Sequence, residues 1–263
     1  MFKNIILFPS KYGQRLSGVE KAPDVFKGLL NGNIKMVNCS DNLENNLENL
    51  YKENMKIYSN KVNIGGDHSM SLATVATTLR MHNNVKVLWF DAHGDINTRA
   101  SSKTKNLHGM PLGFLTKLDQ KSFNFIIPRL NFKNIMYIGI RELDAFESEI
   151  IKKYKIKHIK CGSLNRYPKE SLNSIKKFIN NDPVHLSFDV DVLDPVHMQC
   201  TGTKCKDGLT MESAKYILDG LKNQKIVNMD ITELNLELGS KKDQEESIYN
   251  YVKLFEGYLP FKS

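Results

Sequence analysis

The stretch VKVLWFDAHGD, residues 85–95, decides how this chain reads. Residues 85–90 are almost wholly apolar and rich in strand-forming side chains. A strand apolar on both faces belongs inside a parallel sheet rather than on a solvated one. The run stops at Asp91, and His93 and Asp95 follow at every second position. In extended backbone, alternate side chains share a side. The three polar groups are therefore expected to point together, just past the carboxyl end of the strand.

The same succession recurs on either side. A short aliphatic run at 62–64 leads into GGDHS (65–69). VHLSF (184–188) leads into DVDVLD (189–194), and IVNMDI (226–231) leads into Thr232 and Glu233. Residues 4–8 (NIILF), 134–140 (NIMYIGI) and 156–159 also read as strands. Helical spacing falls at 69–81, 148–154, 169–179 and 210–223, the last with Thr210 as a cap before Met211, and a closing helix is expected over 237–255. Residues 41–58, rich in Asn, Glu and Lys, read as a surface helix with a loop. This alternation predicts an α/β fold, a doubly wound, mostly parallel sheet with helices on both faces. No repeat, low-complexity tract or linker interrupts it, so residues 1–263 are expected to form a single domain.

Composition narrows the function classes. Apolar residues make up 41% and charged residues 25%, ordinary for a globular protein. The formal charge is +8, from 37 Lys and Arg against 29 Asp and Glu. The lysines are scattered, with no long basic run and no basic stretch interleaved with aromatics, which argues against nucleic acid. The N-terminal apolar run of about five residues is too short for a signal segment or a membrane span. The expectation is a soluble cytoplasmic protein with no membrane partner. Cys39, Cys161, Cys200 and Cys205 are too sparse for a disulfide framework, and no zinc-like pair completes Cys200 and Cys205. Free thiols are expected.

Taken singly, each motif has a plain reading. GGDHS suits a turn with a capping Asp, DAHGD a capping loop, and DVDVLDP a calcium-like loop or a turn before Pro195. Their joint arrival at four strand ends points elsewhere, because sites in open parallel sheets form beyond the carboxyl ends of the strands. Asp91, Asp95, Asp189 and Asp191, with His68 and His93, give four carboxylates and two imidazoles. Crowded carboxylates repel, and burying them unpaired is costly. The set is too large for one tetrahedral zinc and suits two cations sharing bridging carboxylates. Carboxylate-dominated ligation favours manganese over zinc, with iron or cobalt as alternatives. Such a pair lowers the pKa of the water between them. His82, His158, His185 and His197 read as ordinary surface or core positions.

GGDHS, DAHGDIN, NLHGMP and SFDVDVLDP, in this order, resemble the motifs of the ureohydrolase family (arginases and agmatinases), with arginases the nearer. The resemblance runs from about residue 18 to residue 250. It implies one metal held by His68, Asp91, Asp95 and Asp189, and a second by Asp91, His93, Asp189 and Asp191. It implies hydrolysis of the guanidinium group of L-arginine to L-ornithine and urea by a metal-bridging hydroxide. Asp95 and His108 would manage protons, Glu233 would pair with the guanidinium, and Thr203 would lie beside it. A histidine near its unperturbed pKa suits the proton role. Asn97, Ser102 and Thr104 would hold the α-carboxylate, and Asp144 would address the α-amino group. The resemblance also implies a homo-oligomer, a trimer or hexamer. The rivals are an agmatinase or other amidinohydrolase and a catalytically silent regulatory protein on the same fold. The chain departs from the arginase pattern at Ala22, Lys105 and Val192, and in the stretches 197–200 and 204–207.

Overall fold

The computed structural model describes residues 2–120 and 123–262. The strands are β1 (Asn4–Phe8), β2 (Asn33–Met36), β3 (Lys61–Gly65), β4 (Lys86–Phe90), β5 (Ile135–Ile138), β6 (Lys157–Ile159), β7 (Val184–Asp189) and β8 (Ile226–Thr232). They form one sheet in the order β2-β1-β3-β8-β7-β4-β5-β6, and every pairing is parallel. This matches the α/β architecture expected. The four strands whose ends carry the acidic and histidine motifs, β3, β8, β7 and β4, are consecutive neighbours in the middle of the sheet. Every residue of β3, β7 and β8 is buried.

Helices cover both faces. On one side α1 (Ala22–Leu29), α6 (Cys161–Arg166), α7 (Pro168–Ile179), α8 (Met211–Leu221) and α9 (Lys241–Phe255) pack Phe26, Leu164, Ile175, Ile217 and Tyr251 against Leu88, Phe90, Leu186 and Phe188. On the other, α2 (Leu43–Met55), α3 (Ser71–Met81), α4 (Pro111–Leu115) and α5 (Ala145–Lys153) pack Leu47, Leu72, Phe114 and Ile150 against Val87 and Trp89. Removing a central anchor such as Trp89 from a core this continuous costs about 3–5 kcal/mol. Among the described residues, no helix is long and apolar enough to cross a membrane.

The differences from the sequence reading lie at edges and ends. β2 goes unread because it is a four-residue edge strand with alternate residues exposed. α1, α4 and α6 go unread because each is eight residues or fewer, too short for helical spacing to register. α5 begins at Ala145 rather than 148, because Asp144 and Glu147 close a reciprocal capping box. α9 begins at Lys241 because Ser240 and Asp243 do the same. α2 is more than a surface helix, since Leu47 and Leu50 are wholly buried. All four cysteines are free.

Candidate metal centre

β3 delivers His68 through a tight turn. At Gly66 an added Cβ would lie 1.8 Å from the Ser10 carbonyl oxygen, so the strand end fits only as glycine. Asp67 then accepts from the Ser69 and Gly13 amides at 3.0 and 2.9 Å. That caps the turn and buries the His68 side chain.

β4 and β7 use a common device. The Asp91 carboxylate accepts from its own i+2 amide, His93, at 2.7 Å, and Asp189 from Asp191 at 2.8 Å. These Asx turns, rather than the extended alternation expected from sequence, keep each motif's side chains together. The other Asp91 oxygen accepts from Trp89 Nε1 at 3.0 Å, and the Trp89 ring stacks on His68.

His68 Nδ1 lies 3.1 Å from Asp91 Oδ2, 2.9 Å from Asp95 Oδ2 and 3.3 Å from Asp189 Oδ2. It is aligned for a hydrogen bond with none of them. Its other nitrogen, Nε2, faces Ser187 Oγ at 2.8 Å. His93 Nδ1 lies 3.3 Å from Asp91 Oδ1 and 3.0 Å from Asp191 Oδ2. Two compact donor groups result, His68–Asp91–Asp189 and Asp91–His93–Asp191, which share Asp91. A buried imidazole nitrogen aimed at three carboxylate oxygens without a hydrogen bond fits a cation among them.

The electrostatics agree. Burial and the Asp91 charge push Asp95 up to about 7. Burial, with Asp191 and Asp91 nearby, pushes Asp189 well above the carboxylate range. Burial would raise Asp91 too, but His68 and His93 outweigh it and hold Asp91 well below that range. Divalent cations let all of these carboxylates ionise together.

A cleft of about 270 Å³ opens over this floor. His93, Asp95, Asn97, Ser102, Thr104, His108, Asp144, Asp189, Asp191 and Thr203 line it. His68 and Asp91 lie beneath. Glu233 does not line the cleft; it sits behind His108, 2% exposed, at a left-handed φ of 66°. Its Oε1 accepts from the His68 amide at 2.7 Å and meets His108 Nδ1 at 3.1 Å. The expectation of an unperturbed His108 is not met. Burial would lower its pKa, but the Glu233 carboxylate raises it to about 9. Thr203 donates to Asp191 at 2.8 Å.

At the far end, Asn97 donates to Asp144 at 2.8 Å and accepts from Ser101 at 2.7 Å. The Ser102 and Thr104 hydroxyls are 3.5 Å apart and accept from the Lys105 and Asn106 amides. Lys105 adopts a φ of 61°, a region that favours glycine, and its ammonium folds back onto the Arg99 and Ala100 carbonyls. Val192 is accommodated by Gly139, where a Cβ would lie 2.4 Å from a Val192 methyl. Ala22 is buried at the start of α1.

Three contributors, Gln14, Glu147 and Arg141, have no role in the sequence reading, and a fourth, Asp67, enters it only as the capping residue of a turn. Gln14 Nε2 donates to Glu233 Oε2 at 2.7 Å. Asp67 ties the loop after β1 to the His68 turn. Glu147 lines the cleft, and burial with the Asp95 charge pushes it up to about 7. Arg141 donates to the carbonyls of Gly139, Asp191, Val192, Leu193, Cys205 and Lys206, pinning the loop that carries Thr203. Only the Asp67 turn leaves a local sequence signal.

The model of the arginase family matches residues 11–252. The arginase of Glaciozyma antarctica is 38% identical over 68% of this chain and 55% of its own length. The chain thus spans a little over half of that relative. The arginase of Entamoeba histolytica is 32% identical over 88% of this chain and 89% of its own. The crystal structure of Entamoeba histolytica arginase in complex with L-ornithine superposes with a TM-score of 0.87 at 30% identity, covering 97% of this chain and 99% of that one. A putative agmatinase from Clostridium difficile shares the fold at 21% identity and a TM-score of 0.76.

Proposed function

This chain belongs to the arginase family, and from that premise we propose that it hydrolyses the guanidinium group of L-arginine to L-ornithine and urea. The observation that carries the reading is the cleft itself, with a histidine backed by the buried Glu233 carboxylate beside the donor groups at one end and an amide, two hydroxyls and an acid at the other. His68, Asp91, Asp95 and Asp189 would hold one ion, and Asp91, His93, Asp189 and Asp191 the second. We assign manganese to both, on the carboxylate-rich donor set. A bound pair supplies a water acidic enough to be a nucleophile near neutral pH.

The chain's own groups do the rest. Glu233 accepts the guanidinium, a planar fork suited to a carboxylate. The guanidinium charge offsets that of Glu233, so His108 falls from about 9 toward the ordinary histidine value and is ready to exchange a proton. Asp95 shares the proton traffic beside the floor of the cleft. Thr203 borders the guanidinium. Asn97, Ser102 and Thr104 hold the α-carboxylate, and Asp144 the α-amino group. The proposal takes residues 1–263 as one catalytic domain and extends to a cytoplasmic homo-oligomer, a trimer or hexamer.

Urea release from L-arginine and from agmatine, by manganese-loaded protein, tests this. Release from arginine and little from agmatine is expected, because only arginine carries the carboxylate that Asn97, Ser102 and Thr104 address. Release from agmatine alone would keep the metal roles and overturn those at the far end. Glu233→Ala should lower kcat/KM by about 10²–10³-fold, the cost of one charge-assisted contact made in the transition state. Metal analysis should still find both ions bound in that variant.

A further inference from the structure

We propose that Gln14 is a positioning residue for Glu233, and that its amide fixes the plane in which that carboxylate receives a guanidinium. This rests on the arginine-hydrolase reading above and assigns a role to a residue outside the motifs.

Glu233 has two oxygens with unlike partners. Oε1 meets the His68 amide and His108, whereas Oε2 accepts from Gln14 Nε2 at 2.7 Å. The torsion about the last carbon–carbon bond of Glu233 is broad and roughly two-fold, and any turn about it moves both oxygens off their partners together. Gln14 holds Oε2 as the His68 amide and His108 hold Oε1, so the plane is set from both sides. The guanidinium is planar and presents paired N–H groups, so the carboxylate plane sets where its central carbon lies above the metal floor. The Glu233 backbone is already in the left-handed region.

Gln14 is itself firmly held. Gly13 donates to Asp67 at 2.9 Å, and a Cβ at position 13 would lie 2.3 Å from the same carboxylate. The Gly13 carbonyl accepts from the His108 amide at 3.1 Å, and the Gln14 amide closes a turn on Lys11 at 3.1 Å. The loop after β1 therefore fixes His108 through its backbone and Glu233 through a side chain. The rotamer freedom of Gln14 is lost on folding rather than on substrate binding.

Gln14→Met keeps the length of the side chain and removes the donor. Its kcat on the substrate that the wild-type protein hydrolyses should fall by about 10–100-fold, the scale expected of an ångström-sized misplacement of the reacting carbon. KM should change by less than about three-fold, because Glu233 keeps its charge and still pairs with the guanidinium. Manganese content and Tm should match the wild-type protein. Gln14→Glu keeps the shape but sets a like charge beside Glu233, and should lose more activity than Gln14→Met. A Gln14→Met variant with wild-type kcat would overturn the assignment. So would a loss of rate that tracks a lower Tm or lost manganese, since that marks a structural role. Wild-type protein silent on both arginine and agmatine would instead sink the reading on which the proposal rests.

Discussion

Asp189→Ala is expected to end urea release and to lower manganese affinity by more than about 100-fold, since changes that only disturb a ligand's support already cost 10–100-fold. Asp189 is 3% exposed, and one oxygen lies 3.3 Å from His68 Nδ1. Its other oxygen accepts from the Asp191 amide, so the substitution also loosens a residue of the second donor group. Both ions should go. The variant should nevertheless fold. Burial and two neighbouring carboxylates destabilise the charge at this position in metal-free protein. Removing that charge should hold or raise the Tm measured without metal. Metal normally stabilises by about 2.7 kcal/mol at about 100 times its Kd, and that gain should disappear. Calorimetry with and without manganese, beside a urea assay, separates these effects. Full turnover with both ions retained would refute the assignment of Asp189.

Asp230→Asn should be the most destabilising of the conservative changes. Asp230 is completely buried on β8 and is no part of the cleft. It accepts from Asn63, Ser71, Thr74 and His185, the last at 3.0 Å. Neutralising one member of a buried charged network costs about 3–5 kcal/mol. The pH dependence follows from the direction of its shift. Burial alone would raise Asp230, but His185, Thr74 and Ser71 outweigh it and hold it below its ordinary 3.8. A lowered carboxylate contributes stability in full above its unfolded value and loses it as pH falls through the folded one. The wild-type protein should therefore lose stability steeply below about pH 4, and Asp230→Asn should show a shallower acid limb from a lower start. Urea melts between pH 3 and 7 would record both, and superimposable acid limbs would contradict the network's role. Ser71 also meets Ser187 at 3.1 Å, and Ser187 faces His68 Nε2. The same variant should bind manganese about 10–100-fold more weakly.

The sequence made the middle of this molecule legible and left its margins dark, for physical reasons. β4, β7 and β8 are buried on both faces, so their composition alone marks them. β2 carries half its side chains in solvent and α4 is five residues long, so neither leaves a periodic trace. The residues of the candidate metal centre stand out because each follows a strand and repeats a short local pattern. Gln14 and Arg141 were not, because their meaning is long-range. Gln14 meets a residue 219 positions away, and Arg141 serves carbonyls up to 65 positions away. The perturbed His108 was unreadable for the same reason. Its partner, Glu233, follows a distant strand.

The order of the strands sets a timetable for making this protein. β3 and β4 are successive in the chain, yet β8 and β7 lie between them in the sheet. A ribosome finishes Phe90 and must still add residues 91–232 before that gap can close. At about 5–20 residues per second, the wait is on the order of ten seconds. Throughout it, the facing edges of β3 and β4 carry unpaired backbone groups that any other strand can capture. His68 and Asp91 sit on opposite sides of the same gap. A cation drawn to these donors would therefore have no assembled pocket to enter until the chain is nearly complete, and would act as a late lock on a finished sheet rather than as the seed around which the fold begins.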